Sequence, residues 1–194
     1  MLFRSARDGV TVSVSTYAER VVRELETTRI HVGEREPIST VFFGGGTPTL
    51  LPPSDFERII TTIRDHYGMA SDAEVTVEAN PDSVDAAYLD ALRHAGATRV
   101  SFGHQSSAPA VLTLLERTHT PGRTWDAVRW ARAAGFEHVS VDLIYASQVE
   151  SEADLRTTLD EVLAADLDHV SAYSLIVEQG TRLGAAVARG DVPM

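Results

Sequence analysis

Apolar residues along this chain fall into two patterns that alternate. Short runs with consecutive or every-second apolar positions read as strands, and stretches with apolar positions three and four apart read as amphipathic helices. Pro37–Phe43 is the first confident strand, ending in Val41-Phe42-Phe43 and then Gly44-Gly45-Gly46-Thr47-Pro48-Thr49. A helix follows with Phe56, Ile59, Ile60 and Ile63 on one face, Ser54 as its expected cap and Pro52-Pro53 at its entry. Glu74–Ala79 is the next strand, Asn80-Pro81-Asp82 a turn, and a helix from Val84 to Ala95 closes at Gly96. Strand Arg99–Gly103 leads through Gln105-Ser106-Ser107 to a helix over Pro109–Glu116, and then to one over Thr124–Ala134 that ends at Gly135. Strand His138–Tyr145, a helix capped by Ser151 and running through Ala165, and strand His169–Val177 complete the series. Upstream, Gly9–Ser15 alternates like a short strand or extended arm. Thr16, with Glu19 three residues on, reads as the cap of a helix whose apolar stripe is Tyr17, Val21, Val22 and Leu25.

Strands alternating with helices are βα units, which call for a parallel sheet with right-handed crossovers. The predicted fold class is therefore α/β, a single domain built as an open sheet or partial barrel. Residues 1–36 form an arm and helix, 37–177 the βα units, and 178–194 the start of a carboxyl-terminal extension. Such folds bind ligands where the carboxyl ends of the strands and the βα loops converge. Those ends carry the glycine run with Thr47, then Glu78, Gln105, Asp142 and Ser174. Each has an ordinary structural use taken singly: a turn, a helix cap, a loop amide, a buried acid bonded to backbone. Polar features at equivalent positions of successive units, flanked by apolar residues, read together as one pocket. The glycine run is not a phosphate loop of the usual type, since no Gly-Lys-Ser/Thr follows it.

Composition narrows the classes. A formal net charge of -11 argues against a nucleic-acid or anionic-membrane partner, whose phosphates would need a basic face. No apolar run approaches the ~20 residues that span a bilayer, and the first residues lack the apolar core of a signal peptide, so a cytoplasmic protein is expected. The chain has no cysteine, which excludes disulfides and thiolate metal sites. Its 7 histidines show no close ligand pairing, no metal ligand is assigned, and His104, beside the pocket, is the only one to suspect of ligand contact. Trp125 and Trp130 lie five apart on one helix and are expected to pack rather than bind.

Five segments taken together carry a resemblance. They are Phe-Phe-Gly-Gly-Gly-Thr-Pro-Thr-Leu-Leu, Val-Glu-Ala-Asn-Pro, Arg-Val-Ser-Phe-Gly-His-Gln-Ser, Leu-Glu-Arg-Thr-His-Thr and Val-Asp-Leu-Ile-Tyr, in that order from about Pro37 to Thr181. This set resembles the oxygen-independent coproporphyrinogen III oxidase group of radical S-adenosylmethionine (SAM) proteins, and within it the haem chaperone branch. The resemblance implies a partial (β/α)6 barrel that binds SAM across its strand ends. By position it implies that Gly45, Gly46 and Thr47 meet the amino-acid moiety of SAM, that Glu78 is a further contact, and that Gln105, Arg117 and Asp142 are the remaining SAM-contacting positions. The chemistry is compatible: carboxylates and backbone groups suit an ammonium, and Arg117 suits a carboxylate as a charge-assisted pair. In full-length relatives it also implies a [4Fe-4S] cluster, haem, and a haem-acceptor protein as partner.

Several departures from the family pattern change these expectations. The Cys-x3-Cys-x2-Cys loop that holds the cluster after the family's first strand has no counterpart here. Val10–Leu25 resembles the segment just after that loop, so the first strand and loop are expected to be missing rather than substituted. Affinity for SAM is accordingly expected to be weak or absent, and an uncovered sheet edge would favour self-association unless Val10, Val12 and Val14 pair beside Val41–Phe43. Where the family usually has Gly-x-Pro-Gly after Asp142-Leu-Ile-Tyr145, this chain has Ala146-Ser147-Gln148-Val149, which implies a reshaped turn strained at Val149 if a positive φ is still required there. His104 stands where an apolar residue is more usual. Three readings of function stay open: part of a haem chaperone, part of an oxidase of porphyrin biosynthesis, or a SAM- or nucleotide-binding module without redox chemistry. An unrelated barrel with a phosphate-type glycine loop is a weaker fourth.

Overall fold

The computed structural model describes residues 14–33, 36–117, 120 and 122–191. Five strands, β1 (Ile38–Phe43), β2 (Met69–Ala79), β3 (Arg99–Gln105), β4 (His138–Tyr145) and β5 (His169–Ser174), form one sheet in the order β1-β2-β3-β4-β5, all pairs parallel. Sequential parallel neighbours joined by helices are the topology of a (β/α) barrel, and the sheet curls as a partial one. The helices are α1 (Val14–Val32), α2 (Pro53–Tyr67), α3 (Ala86–His94), α4 (Pro109–Leu114), α5 (Arg123–Ala133), α6 (Glu152–Ala164) and α7 (Arg182–Ala188). No helix among the described residues is long and apolar enough to cross a membrane.

The period of two along each strand separates the two faces of the sheet. Val75, Val77 and Ala79 of β2, Val100 and Phe102 of β3, and Val139, Val141 and Leu143 of β4 point to the helix layer, where they pack with Phe56, Ile60, Leu89, Leu92, Val128 and Val162. The intervening positions, Glu74, Thr76, Glu78, Ser101, Ser140, Asp142 and Ser171, belong to the concave face. Barrel interiors are ordinarily filled by branched apolar side chains. Here the concave face mixes small and polar residues with the loosely packed Phe42, Ile144 and Tyr173, so the close-packed core lies between the sheet and the helices.

Several boundaries differ from the sequence reading, each for a local reason. Val14 and Ser15 belong to α1, so the arm expected over Gly9–Ser15 is helical at its end, Thr16 lies inside the helix rather than capping it, and Val14 does not pair with β1. Residues 9–13, with Val10 and Val12, lie outside the described residues. Ser54 does not cap α2: Pro53 occupies the first helical position, where its fixed φ suits the helix and its missing N–H costs nothing, and Pro52 takes the cap position. β2 begins at Met69 rather than Glu74, because Met69 already pairs with Ile38. The turn after β2 is a short 3-10 helix, Pro81–Ser83, and Asp85 then caps α3 by accepting from the Tyr88 N–H at 2.8 Å. β5 ends at Ser174 instead of Val177, and the chain beyond it forms α7, capped by Thr181. Ser151 does cap α6, with Asp154 completing a reciprocal capping box. After β4 the positive φ falls on Ala146 (62°) and not on Val149, so the turn is reshaped and its strain sits on a residue without a branched Cβ.

Candidate functional site

At the carboxyl end of the sheet a cleft of about 470 Å³ is lined by Glu78, Gln105, Asp142, Ile144, Tyr173, Ser174, Leu175 and Ile176. The three polar groups come from three adjacent strands. Gly103 pairs with Asp142 and Ala79 with Phe102, so the ends of β2, β3 and β4 are level with one another. The opposite wall is apolar. It comes from Ile144 and its register partner Tyr173, and from the chain just past β5.

Each acid has a fixed surrounding. Glu78 Oε2 accepts the Gly45 backbone N–H at 3.0 Å, which ties the glycine run after β1 to the next strand. A Cβ on Gly44 would run into the Phe42 ring and lie 3.1 Å from the same carboxylate oxygen, so the backbone there is hemmed in chiefly by Phe42. Gly45 and Gly46 have φ of 82° and 67°, a conformation that glycine adopts without penalty. Asp142 accepts from Ser101 Oγ, 3.3 Å from each carboxylate oxygen, and Ser101 in turn accepts from Ser140 Oγ at 2.9 Å. Ser101 and Ser140 are buried, so this pair of hydroxyls forms a directed relay that aims one proton at Asp142.

The structure thus brings together Glu78, Gln105 and Asp142 and joins Gly45 to them through Glu78. Thr47 sits two residues beyond Gly45, immediately before the 3-10 turn Pro48–Leu50, and its side chain makes no capping bond there. Arg117 is exposed just past α4 and is not among the residues that line the cleft. His104 is buried on the helix side of β3, where its ring packs on Trp125 at 4.7 Å, so it does not face the cleft. Trp130 stacks under the Arg123 guanidinium at 4.5 Å. From the sequence Ile144 counts with Val139, Val141 and Leu143 as core of its strand and Tyr173 has no assigned role; both instead line the cleft. The alternation of β4 and β5 puts them on the concave face with Asp142, and that was the available signal.

Comparisons with known proteins give the family. Residues 6–162 match the radical SAM superfamily. This chain belongs to that superfamily. It is 48% identical over 155 residues to the heme chaperone HemW of Mycobacterium tuberculosis (strain ATCC 25618 / H37Rv), an overlap of 80% of this chain and 40% of the relative. It is 31% identical over 162 residues to the oxygen-independent coproporphyrinogen III oxidase of Synechocystis sp. (strain ATCC 27184 / PCC 6803 / Kazusa), covering 84% of this chain and 35% of that protein. The Escherichia coli coproporphyrinogen III oxidase HemN, described as a radical SAM enzyme, superposes with a TM-score of 0.78 at 25% identity, over 95% of this chain and 44% of that one. The chain therefore spans less than half the length of these relatives.

The cluster that the family implies does not fit the residues present. The chain has no cysteine, and among the described residues no three His, Asp or Glu side chains gather where a metal ion could be held. SAM, by contrast, offers an ammonium, a carboxylate and an adenosine, and the cleft offers two carboxylates, an amide, a backbone edge and an apolar wall.

Proposed function

We propose that this chain is the SAM-binding βα part of a HemW-like haem chaperone, whose full-length form holds a [4Fe-4S] cluster, SAM and haem and passes haem to an acceptor protein. The observation that carries the SAM reading is the meeting of Glu78, Gln105 and Asp142 in one cleft, with Glu78 bonded to the glycine edge at Gly45. The carboxylates would receive the ammonium of SAM, the glycine edge its amino-acid backbone, and Ile144 with Tyr173 its apolar surface. The haem chaperone part rests on likeness to proteins of that name. When bound to a cluster, SAM supplies radical chemistry; this chain's residues bind and orient it. An oxidase-like role in porphyrin synthesis has the HemN likeness behind it, and a binding module without redox chemistry has the absence of cysteine.

Calorimetric titration of SAM tests the reading. Without cluster chelation, a Kd of roughly 0.1 to 1 mM is expected, equivalent to about 4 to 5.5 kcal/mol. Glu78→Gln should weaken binding, while Glu57→Gln, on the exposed face of α2, should leave it unchanged. Equal titration curves for wild type and Glu78→Gln, or no heat with either, would overturn the proposal.

A further inference from the structure

Gln105 is the cleft residue with an unusual backbone. Its φ is 67°, a left-handed conformation that costs a residue with a Cβ on the order of 1 kcal/mol or more. The β3–β4 register shifts between Gly103 and Gln105, so His104 sits at a bulge with its side chain on the opposite face from the cleft. The side chains bonded to His104 are polar, although the rest of that face is apolar. Its Nε2 lies 3.0 Å from Ser107 Oγ and its Nδ1 lies 3.1 Å from Thr124 Oγ1. Ser107 Oγ donates to Glu161 Oε2 at 2.7 Å, so its lone pair must accept from His104 Nε2–H, and Nδ1 is left to accept from the Thr124 hydroxyl. Trp125, on which the His104 ring packs, donates its indole N–H to the same Glu161 oxygen at 3.0 Å. The Ser107 N–H is bonded to Thr158 Oγ1 at 3.0 Å, and the Ser106 N–H to the His104 carbonyl at 2.9 Å.

The His104–Thr124, Ser107–Glu161 and Ser107–Thr158 bonds join the residues flanking Gln105 to α5 and α6, while the Ser106–His104 backbone bond closes the turn around Gln105 itself. We infer that His104 is a positioning residue: a peg, fastened from the helix layer, that holds the β3 bulge and thereby sets Gln105 in its left-handed conformation facing the ligand. An apolar residue at this position would fill the space but would leave the bulge free to relax toward extended geometry. The inference rests on the SAM reading for its effect on affinity, but not for its effect on the backbone of Gln105.

The test has two readouts. In isotope-labelled protein, His104→Phe keeps a ring against Trp125 and removes both hydrogen bonds. The Gln105 amide shift and its backbone coupling should then move toward extended-strand values, and SAM affinity should fall about tenfold. His104→Gln, which can still donate to Ser107, should restore part of both, and Ser107→Ala should give a smaller change in the same direction without disturbing the buried ring. Ile60→Ala, a cavity in α2 remote from this network, should lower stability while leaving the Gln105 signal in place. If wild type fails to bind SAM, the proposed function falls and the Gln105 signal still decides the peg. A Gln105 signal unchanged in His104→Phe and Ser107→Ala, or one that moves equally in Ile60→Ala, would overturn it.

Discussion

Gly45 and Gly135 form a matched pair that separates backbone strain from ligand binding. Their φ angles are 82° and 81°, and a Cβ built on either meets nothing within 4 Å. Alanine at either position is therefore a change of backbone preference alone. The left-handed conformation costs about 1 to 2 kcal/mol, offset in part by the ~0.4 to 1 kcal/mol gained from a stiffer unfolded chain, so each variant should lose about 1 kcal/mol. For a chain of this size that lowers the melting midpoint by about 2 to 4 °C in both cases. Their places in the fold differ. Gly135 follows α5 at the amino end of the strands, whereas the Gly45 N–H bonds Glu78 inside the cleft rim. A hydrogen bond to a charged group is worth about 1.5 to 3 kcal/mol. Misaligning it in Gly45→Ala should therefore weaken SAM by roughly 10- to 100-fold, and Gly135→Ala should bind as wild type does. Differential scanning calorimetry and SAM titration on the two proteins measure both halves. Equal stability loss with equal, unaltered SAM binding would mean that the glycine edge is only a turn. A Gly45→Ala protein as stable as wild type would mean that the left-handed backbone is not what requires glycine.

Three further outcomes are expected. Asp168, at the start of β5, accepts the Val139 N–H at 2.7 Å and pairs with Arg132, which together hold its carboxyl below the usual value. Its contribution is therefore present above about pH 4 and lost as pH falls through the lowered folded value. Asp168→Asn should remove that acid-limb dependence in melting curves, and an unchanged curve would refute the assignment. Phe102 is fully buried on the helix face, and Phe102→Ala should cost about 3 to 5 kcal/mol by chemical denaturation, whereas Asp142→Asn on the concave face should cost far less. Within the described residues β1 and β5 are the sheet's outer strands, and Phe42, Leu163 and Ile176 are exposed, so sedimentation should reveal association that rises with concentration. A concentration-independent monomer would contradict it.

The order of elements and the cleft at the strand ends were legible because both depend on short-range pattern. β4 lies where its alternation puts it, and Glu78, Gln105 and Asp142 share a cleft because each ends a strand with the same concave parity. What was not legible depended on contacts distant in sequence. Met69–Ala73 carries little strand signal of its own; Met69 pairs with Ile38, and the register then shifts before Thr40 pairs with Glu74. Val14 and Ser15 resemble an alternating strand, but the stripe of α1 packs Ala18 and Val22 on Ile59 and Ile63 of α2, and that packing extends the helix back over them. His104 beside a predicted pocket suggested a ligand contact. Its parity with Val100 and Phe102 turns it to the helix layer, but only the position of Thr124, Trp125 and Glu161 in space reveals what it holds.

The division of labour between the two faces of the sheet explains how one short chain can carry both a stable scaffold and an open site. A barrel closed around aliphatic side chains draws stability from its interior, and any cavity there costs packing energy. In this chain the apolar layer lies between strands and helices, where Val77, Val100, Phe102, Val139 and Val141 are all fully buried. The concave face is then free to use serines and acids that would be costly in a close-packed core. Ser101 and Ser140 make the arrangement workable, since they satisfy one another and direct their shared donor to Asp142. The same separation brings strain to the rim. Gln105 and Ala146 carry positive φ at the ends of β3 and β4, where the chain must leave the pleat to reach the helix layer while presenting the cleft. Such positions persist only when the structure around them over-determines the conformation. For Gln105 that structure is the His104 network. For Ala146 it is the Glu150 carboxylate, which accepts the Ala146 N–H at 2.7 Å.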